Sequence, residues 1–192
     1  MIVLPRRVLL RGIAGLGLGA RMAQAGPGHD PFGPVAPPQA APSLWLLRDD
    51  GRQIELRRHL TGNVTAVQLM FTRCTATCPI QGALFGSIAR RVRAQEVQLL
   101  SLSIDPPSDT PAALRAWLAR FSAPAHWRAA APRSEEVDRL FEFVRGRASG
   151  ADQHTTQVYL FDRQARFVFR TASMPSAGHV ADVCAQIAAA RG

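Results

Sequence analysis

The sequence predicts one α/β domain in which helices cover both faces of a mixed β-sheet. Its 192 residues, of which 47% are hydrophobic, suffice for one ordinary core and are too few for two. Two apolar runs at 64–71 and 97–104 are each followed by a helical pattern, which indicates a parallel βαβ unit. Two more strand patterns near the end of the sequence lead into a last helix, and they add antiparallel strands to the sheet.

The stretch SLWLLRDDGRQIELRRHL, residues 43–60, is typical of a β-hairpin. Asp50 and Gly51 form a dipeptide that favours a tight hairpin turn. The run before this turn is apolar, and Ile54 and Leu56 after it alternate with polar residues. We therefore predict an N-terminal β-hairpin ahead of the βαβ unit.

The βαβ unit begins with VTAVQLMF at 64–71, a strand apolar enough for the middle of a sheet. Pro79 follows Cys78 directly. Because a proline disfavours helix in the residue before it and suits the first helical position, a helix is predicted from Pro79 to residue 95. The next strand is predicted at 97–104, where VQLLSLSI is again mostly apolar.

The rest of the sequence supplies three helices and two strands. Thr110 caps the next helix, which has Pro111 at its first position. Its inward residues are Leu114, Trp117, Leu118 and Phe121. Ser134 opens a further helix, and strands at 156–161 and 166–171 precede a last helix at 176–190. The order hairpin, β-α-β-α-α, β-β-α gives a mixed sheet that is thioredoxin-like in outline.

The net charge of +9 overstates the charge of the folded part. All basic residues are arginines, and four of them lie in the first 25 residues with no acidic residue, so the remainder carries +5. The arginines do not cluster with aromatic residues as they do in a nucleic-acid groove. We therefore expect a mildly basic solvated surface and no nucleic-acid partner.

The first 25 residues have the pattern of an export signal. A basic start precedes a weakly apolar stretch and the small residues AQA at 23–25. Arg11 and Arg21 interrupt the apolar stretch, so it is too short for a membrane span. The sequence PRRVLLR is similar to a twin-arginine signal, and an ordinary Sec signal is the equal alternative. No cysteine stands at the cleavage point to carry a lipid.

From these features we predict a cleaved export signal over 1–25, a Pro/Gly-rich linker over 26–42 and one folded domain over 43–192. The mature protein is expected to be periplasmic or otherwise exported and not to span a membrane. Export matters for the three cysteines, because an oxidising compartment favours disulfides.

The stretch FTRCTATCPIQG, residues 71–82, holds Cys74 and Cys78 with three residues between them. At a helix N-terminus the dipole favours thiolate, most of all at Cys78. The pair can chelate a soft ion such as copper(I), can form a reversible redox disulfide, or can be a structural disulfide of an exported protein. Cys184 falls on the apolar last helix and is expected to be a buried, inert thiol.

Five histidines compete to be a further ligand: His29 in the linker, His59 after the hairpin, His126 beside Trp127, His154 before a strand and His179 in the last helix. His154 stands at a strand entry that can face the cysteine loop. A solvated loop histidine is the alternative for this position, and the residues alone leave both readings open.

Three segments are similar to the Sco/SenC family, copper chaperones for the binuclear copper A centre of cytochrome oxidase. FTRCTATCP resembles its F-T-x-C-P-x-x-C-P segment, and LSIDPPSDTPAALRAWLARF resembles its I-S-V-D-P-x-x-D-T-P-x-x-L-x-x-Y-x-x-x-F segment. DQHTTQVYLFDRQARFV resembles its D-H-S-x-x-x-Y-L-I-D-P-x-G-x segment. The resemblance runs from about residue 43 to the end. It implies a thioredoxin-like fold and copper bound by Cys74, Cys78 and His154.

We therefore predict an exported copper metallochaperone rather than an enzyme, with no catalytic residue assigned. Its expected partner is a cytochrome oxidase copper-bearing subunit or another copper carrier. The alternatives are a thiol–disulfide oxidoreductase that uses Cys74 and Cys78, and a non-catalytic domain stabilised by their disulfide.

Overall fold

The computed structural model describes residues 32–149 and 153–190. The strands are β1 (Gly33–Ala40), β2 (Trp45–Arg48), β3 (Gln53–Glu55), β4 (Val64–Met70), β5 (Val97–Ser103), β6 (Trp127–Pro132), β7 (Tyr159–Phe161) and β8 (Arg166–Arg170). The helices are α1 (Leu56–Leu60), α2 (Thr77–Ala89), α3 (Pro111–Arg120), α4 (Val137–Val144) and α5 (Ala177–Ala189), and a 3₁₀ turn at Ser134–Glu136 leads into α4. The predicted export signal and the start of the predicted linker lie outside the described residues.

The eight strands of the described residues form one mixed sheet in the order β1-β8-β7-β4-β5-β6-β2-β3. At its centre β4, β5 and β6 run parallel, and every other pairing is antiparallel. The register of the central pair runs from Val64 opposite Val97 to Met70 opposite Ser103. The carboxyl ends of β4 and β5 therefore lie side by side, at the position where open α/β sheets place their functional sites.

Helices cover both faces of this sheet. All seven residues of β4 are buried, and they alternate between two cores. Val64, Ala66 and Met70 pack with residues of α2, α3 and α5, whereas Val67 and Leu69 pack with residues of α1 and α4. Burial on both faces explains why the sequence of β4 is a continuous apolar run. The predicted fold class is confirmed.

The hairpin has the predicted turn but a shorter second strand. Leu46 of β2 lies opposite Ile54 of β3, and Gly51 has φ +81°, a backbone conformation that glycine adopts without steric cost. Leu56, predicted in the second strand, instead begins α1. Because β2 also pairs with β6, the hairpin forms one edge of the sheet.

Helix α2 differs from the prediction at both ends. It begins at Thr77, two residues before Pro79, and ends at Ala89 rather than at residue 95. Pro79 is tolerated as the third helical residue because the N–H groups of a first helical turn have no intrahelical acceptor. At the other end the N–H groups of Arg91 and Val92 both donate to the carbonyl of Ile88, which turns the chain towards β5.

Two strands were not predicted. The sequence of β6, WRAAAP, has little strand propensity, and it is a strand because it is buried between β5 and β2. The strand β1 lies inside the predicted linker and contains three prolines, which an edge strand tolerates at an irregularity between Pro34 and Gln39. Conversely β7 begins at Tyr159, three residues later than predicted.

Candidate metal centre

The cysteine loop connects the end of β4 to α2. After Met70 the chain makes a turn in which the N–H of Cys74 donates to the carbonyl of Phe71 at 3.1 Å. Helix α2 then begins at Thr77, so that Cys78 is its second residue. Both cysteines thus lie at the N-terminal end of α2, just beyond the carboxyl end of a central strand, where the helix dipole is positive.

The two cysteines contact each other through sulfur and backbone. The N–H of Cys78 donates to Cys74 Sγ over an N–S distance of 3.4 Å. This N–H belongs to the first turn of α2, so the Cys74 sulfur takes the place of a helix cap. Cys78 is fully buried and Cys74 is 5% exposed, and both are thiols in the structure. Because α2 begins at Thr77 rather than at the predicted Pro79, Cys78 lies inside the helix and Ala76 is the N-cap residue.

His154 faces the same sulfur from the other side. Its Nε2 lies 3.6 Å from Cys78 Sγ, and its Nδ1 lies 2.9 Å from the carbonyl oxygen of Thr155. A carbonyl only accepts hydrogen bonds, so Nδ1 carries the proton in the neutral ring. The lone pair of the neutral imidazole is therefore on Nε2, the nitrogen directed at Cys78, as required of a metal-binding histidine.

The segment around His154 is fixed by the chain that leaves α4. The N–H of Thr155 donates to the carbonyl of Gly146 at 2.8 Å, and Arg147 forms an isolated β-bridge with His154. The Thr155 hydroxyl lies 2.6 Å from the hydroxyl of Tyr159. These supporting residues were missed at the sequence level, since nothing in their spacing connects the end of α4 to His154.

Close packing explains why residue 146 is glycine. A Cβ atom placed there would lie 2.6 Å from the Tyr159 hydroxyl and 2.7 Å from Leu69 Cδ1, closer than real Cβ contacts. Gly146 therefore lets the two segments approach.

The three donors suit a soft ion. Thiolates favour soft ions such as copper(I), and an imidazole nitrogen also binds copper. Within the described residues no group of three or more His, Cys, Asp or Glu side chains forms a ready-made metal cluster. The candidate ligands instead contact each other in pairs. The N–H of Cys78 contacts Cys74 Sγ, and Nε2 of His154 contacts Cys78 Sγ.

Three other candidate histidines lie elsewhere in the described structure. His59 is buried in α1, where burial first and then the charges of Arg48 and Arg128 lower its pKa to about 4. His126 lies just before β6, and the ring of His179 packs against Phe169 with a centroid separation of 6.3 Å. His29 lies outside the described residues.

Cys184 lies on α5 and is fully buried. Burial raises the pKa of its thiol to about 12. This agrees with the expectation of an inert thiol.

Fold and site together define a thioredoxin-like protein with a Cys-x₃-Cys loop and a facing histidine. The SCO1/SenC family model matches residues 37–189, and the chain belongs to this family. The match includes the cysteine loop, His154 and all strands from β2 to β8.

A curated relative, the SCO1 protein homolog of Bacillus subtilis (strain 168), is 30% identical over 74 residues. That match covers 38% of this chain and only 38% of the relative's length.

Two solved structures have a similar fold. Bradyrhizobium japonicum ScoI with copper bound is 22% identical, with a TM-score of 0.64, and the alignment covers 77% of this chain and 99% of that one. BsSco, described as having a disulfide switch and as a member of the Sco family of cytochrome c oxidase assembly proteins, is 16% identical with a TM-score of 0.70. Its alignment covers 80% of this chain and 96% of BsSco.

No helix in the described part of the chain is long and apolar enough to cross a membrane.

Proposed function

We propose that this protein is an exported copper metallochaperone that holds one copper ion through Cys74, Cys78 and His154. The observation that carries the proposal is the 3.6 Å approach of His154 Nε2 to Cys78 Sγ. Because Nδ1–H is held by the Thr155 carbonyl, the imidazole presents a lone pair, rather than a proton, to the sulfur.

The donor set suits copper in both oxidation states. Two thiolates suffice to hold copper(I), to which the imidazole adds a third ligand, whereas copper(II) depends more strongly on the imidazole nitrogen. Both thiols lose their protons when the ion binds, and the N-terminal end of α2 stabilises the resulting negative charge. His154 is therefore proposed to matter more for copper(II) than for copper(I).

Delivery is proposed to occur by ligand exchange with an acceptor. Cys74 is the most exposed of the three donors, at 5% against 0% for Cys78 and 3% for His154. The proposed acceptor is the copper-bearing subunit of a cytochrome oxidase, at its copper A site, or another copper carrier. Support comes from family membership and from the description of BsSco as an oxidase assembly protein.

Export is part of the proposal. The basic, weakly apolar segment over 1–25 with AQA at its end is proposed to direct the protein to the periplasm and to be removed. A folded domain then acts in an oxidising compartment, where a reductant must keep Cys74 and Cys78 as thiols.

A thiol–disulfide oxidoreductase is the second candidate, and one observation favours it. The N–H of Cys78 contacts Cys74 Sγ, so a thiolate formed at Cys74 gains a hydrogen bond at a helix N-terminus, the environment of reactive cysteines. A redox role does not need the imidazole of His154, and this separates the two candidates.

A copper(I) titration of the reduced protein, in competition with a chelator, tests the proposal. One equivalent is expected to bind tightly, and Cys74→Ala or Cys78→Ala is expected to abolish tight binding. Cys184→Ala is the matched control and should bind as the wild type does. If either loop mutant still holds one equivalent, the site is elsewhere. If the wild type holds none but reduces protein disulfides, the oxidoreductase role is favoured.

A further inference from the structure

The loop between β5 and α3 contains a buried carboxylate beside the cysteine loop. Asp109 is only 1% exposed. Its two oxygens accept the backbone N–H of Thr72 at 3.1 and 3.2 Å, and Oδ1 accepts the Thr72 hydroxyl at 2.6 Å. Its Oδ2 accepts the hydroxyl of Ser103 at 2.6 Å. The ion pairs found among the described residues do not include Asp109.

These hydrogen bonds join the ends of the two central parallel strands. Ser103 is the last residue of β5, and Thr72 lies two residues beyond β4 and two residues before Cys74. The N–H of Ile104 also donates to the carbonyl of Met70 at 2.9 Å. Thr72 is thus held by both its backbone and its side chain at the point where the chain turns towards Cys74.

A second acidic residue of the same loop provides a contrast. Asp105 pairs with Arg73 at 3.0 Å, with side chains 29% and 71% exposed. Exposed pairs of this kind contribute little to stability, because water screens the attraction. Charge-assisted hydrogen bonds to a buried carboxylate are stronger and more directional. Asp109 therefore holds Thr72 firmly, whereas Asp105 holds the neighbouring Arg73 only weakly.

We propose that Asp109 is a positioning residue for the Cys74–Cys78 centre. By holding Thr72 it fixes the direction in which the chain enters Cys74, and so keeps the Cys74 sulfur close to Cys78. A pair of sulfurs held in this way has a high effective concentration for closing on one ion or on each other. The inference rests on the proposed function for its copper readout, and the disulfide readout is independent of copper.

Two substitutions at the contact and two controls test this. Asp109→Asn removes the charge and one acceptor. Thr72→Val removes the hydroxyl that donates at 2.6 Å and keeps the shape of the side chain, whereas Thr72→Ser restores that hydroxyl. Asp105→Asn removes the same charge from the same loop without touching Thr72. For each reduced, metal-free protein we would measure copper(I) affinity by chelator competition, the equilibrium constant for Cys74–Cys78 disulfide formation against glutathione, and the thermal unfolding midpoint.

Asp109→Asn is expected to weaken copper(I) binding about tenfold or more, the loss typical when support for a metal ligand is removed. The disulfide equilibrium constant should fall by a similar factor. Thr72→Val should shift both quantities in the same direction by a smaller factor, with Thr72→Ser and Asp105→Asn within about twofold of the wild type.

The proposal is overturned if Asp109→Asn and Thr72→Val lower the unfolding midpoint while copper affinity and the disulfide constant stay within twofold of the wild type. It is also overturned if Asp105→Asn has the same effect as Asp109→Asn, because charge rather than positioning would then be the cause. A wild type that binds no copper would refute the proposed function alone. In that case the disulfide constant still decides whether Asp109 positions the pair.

Discussion

Cys78 and Cys184 are equally buried, yet they differ in their position on a helix and in the side chains around them. Both are fully buried on helices that pack on the same face of the sheet. Cys184 lies in the middle of α5 among apolar side chains, and burial raises its pKa to about 12. Cys78 lies in the first turn of α2, with His154 Nε2 facing its sulfur. The two equally buried cysteines thus differ in their place on the helix and in the neighbouring nitrogen, and this difference is why we propose that Cys78, and not Cys184, binds copper.

The largest expected effect is the complete loss of copper binding when Cys74 and Cys78 are oxidised. Cys74 and Cys78 should form a reversible disulfide, and the oxidised protein should bind no copper, because a disulfide offers no thiolate. Cys184 should remain a thiol. Mass spectrometry after alkylation, with and without reductant and alongside copper content, measures both. Full copper loading of the oxidised protein would contradict a thiolate site. A disulfide that includes Cys184 would contradict its description as an inert thiol.

Alkylation of Cys184 should be about a thousandfold slower in the native protein than in the unfolded protein, where the thiol has its ordinary pKa. At pH 8 a thiol with a pKa of about 12 is thiolate in only ~10⁻⁴ of molecules, and Cys184 has no exposed surface. The reduced protein would be treated with iodoacetamide and the labelled peptides quantified over time. Guanidinium-unfolded protein is the control, in which all three cysteines should react alike. Native Cys184 that is labelled as fast as Cys184 in the unfolded protein would contradict the assignment.

His154→Ala should weaken copper(II) binding by about ten- to a hundredfold and copper(I) binding by less than tenfold. The reason is that imidazole helps to hold the divalent ion, whereas two thiolates suffice for the monovalent one. The copper(II)–thiolate charge-transfer band should change with it. His179→Ala is the control, because His179 lies on α5 and its ring packs against Phe169 of β8. An unchanged band in His154→Ala would remove His154 from the site.

Gly146→Ala should have the smallest effect on copper and a clear effect on stability. The new methyl group would meet the Tyr159 hydroxyl and Leu69, so unfolding should become easier by about 1–3 kcal/mol. Because Tyr159 contacts Thr155, the copper(II) band should shift slightly while copper(I) affinity stays within about threefold.

Gly178→Ala is the matched control for this substitution. Nothing lies within 4 Å of a Cβ at Gly178, which is in the first turn of α5, so alanine there should be neutral or stabilise by up to about 1 kcal/mol. Equal unfolding midpoints for the two alanine variants would show that Gly146 is not a point of close packing.

The central part of the fold was predictable from element order, whereas His154 was singled out from the other histidines only by the resemblance to the Sco/SenC family. A strand–loop–helix puts Cys78 at the carboxyl end of β4, and His154 precedes a strand that pairs beside β4. The strands β1 and β6 were not predictable, since prolines and alanines become strands here only through their neighbours. The tautomer of His154 depends on one carbonyl of Thr155, which no spacing in the sequence reveals.

X-ray absorption at the copper edge of the reduced, copper(I)-loaded protein tests the central claim most directly. The proposal predicts two sulfur scatterers and one nitrogen scatterer in the wild type and in Cys184→Ala. It predicts two sulfur scatterers without the imidazole in His154→Ala. Three sulfur scatterers, or a first shell that contains no sulfur, would contradict a centre built from Cys74, Cys78 and His154.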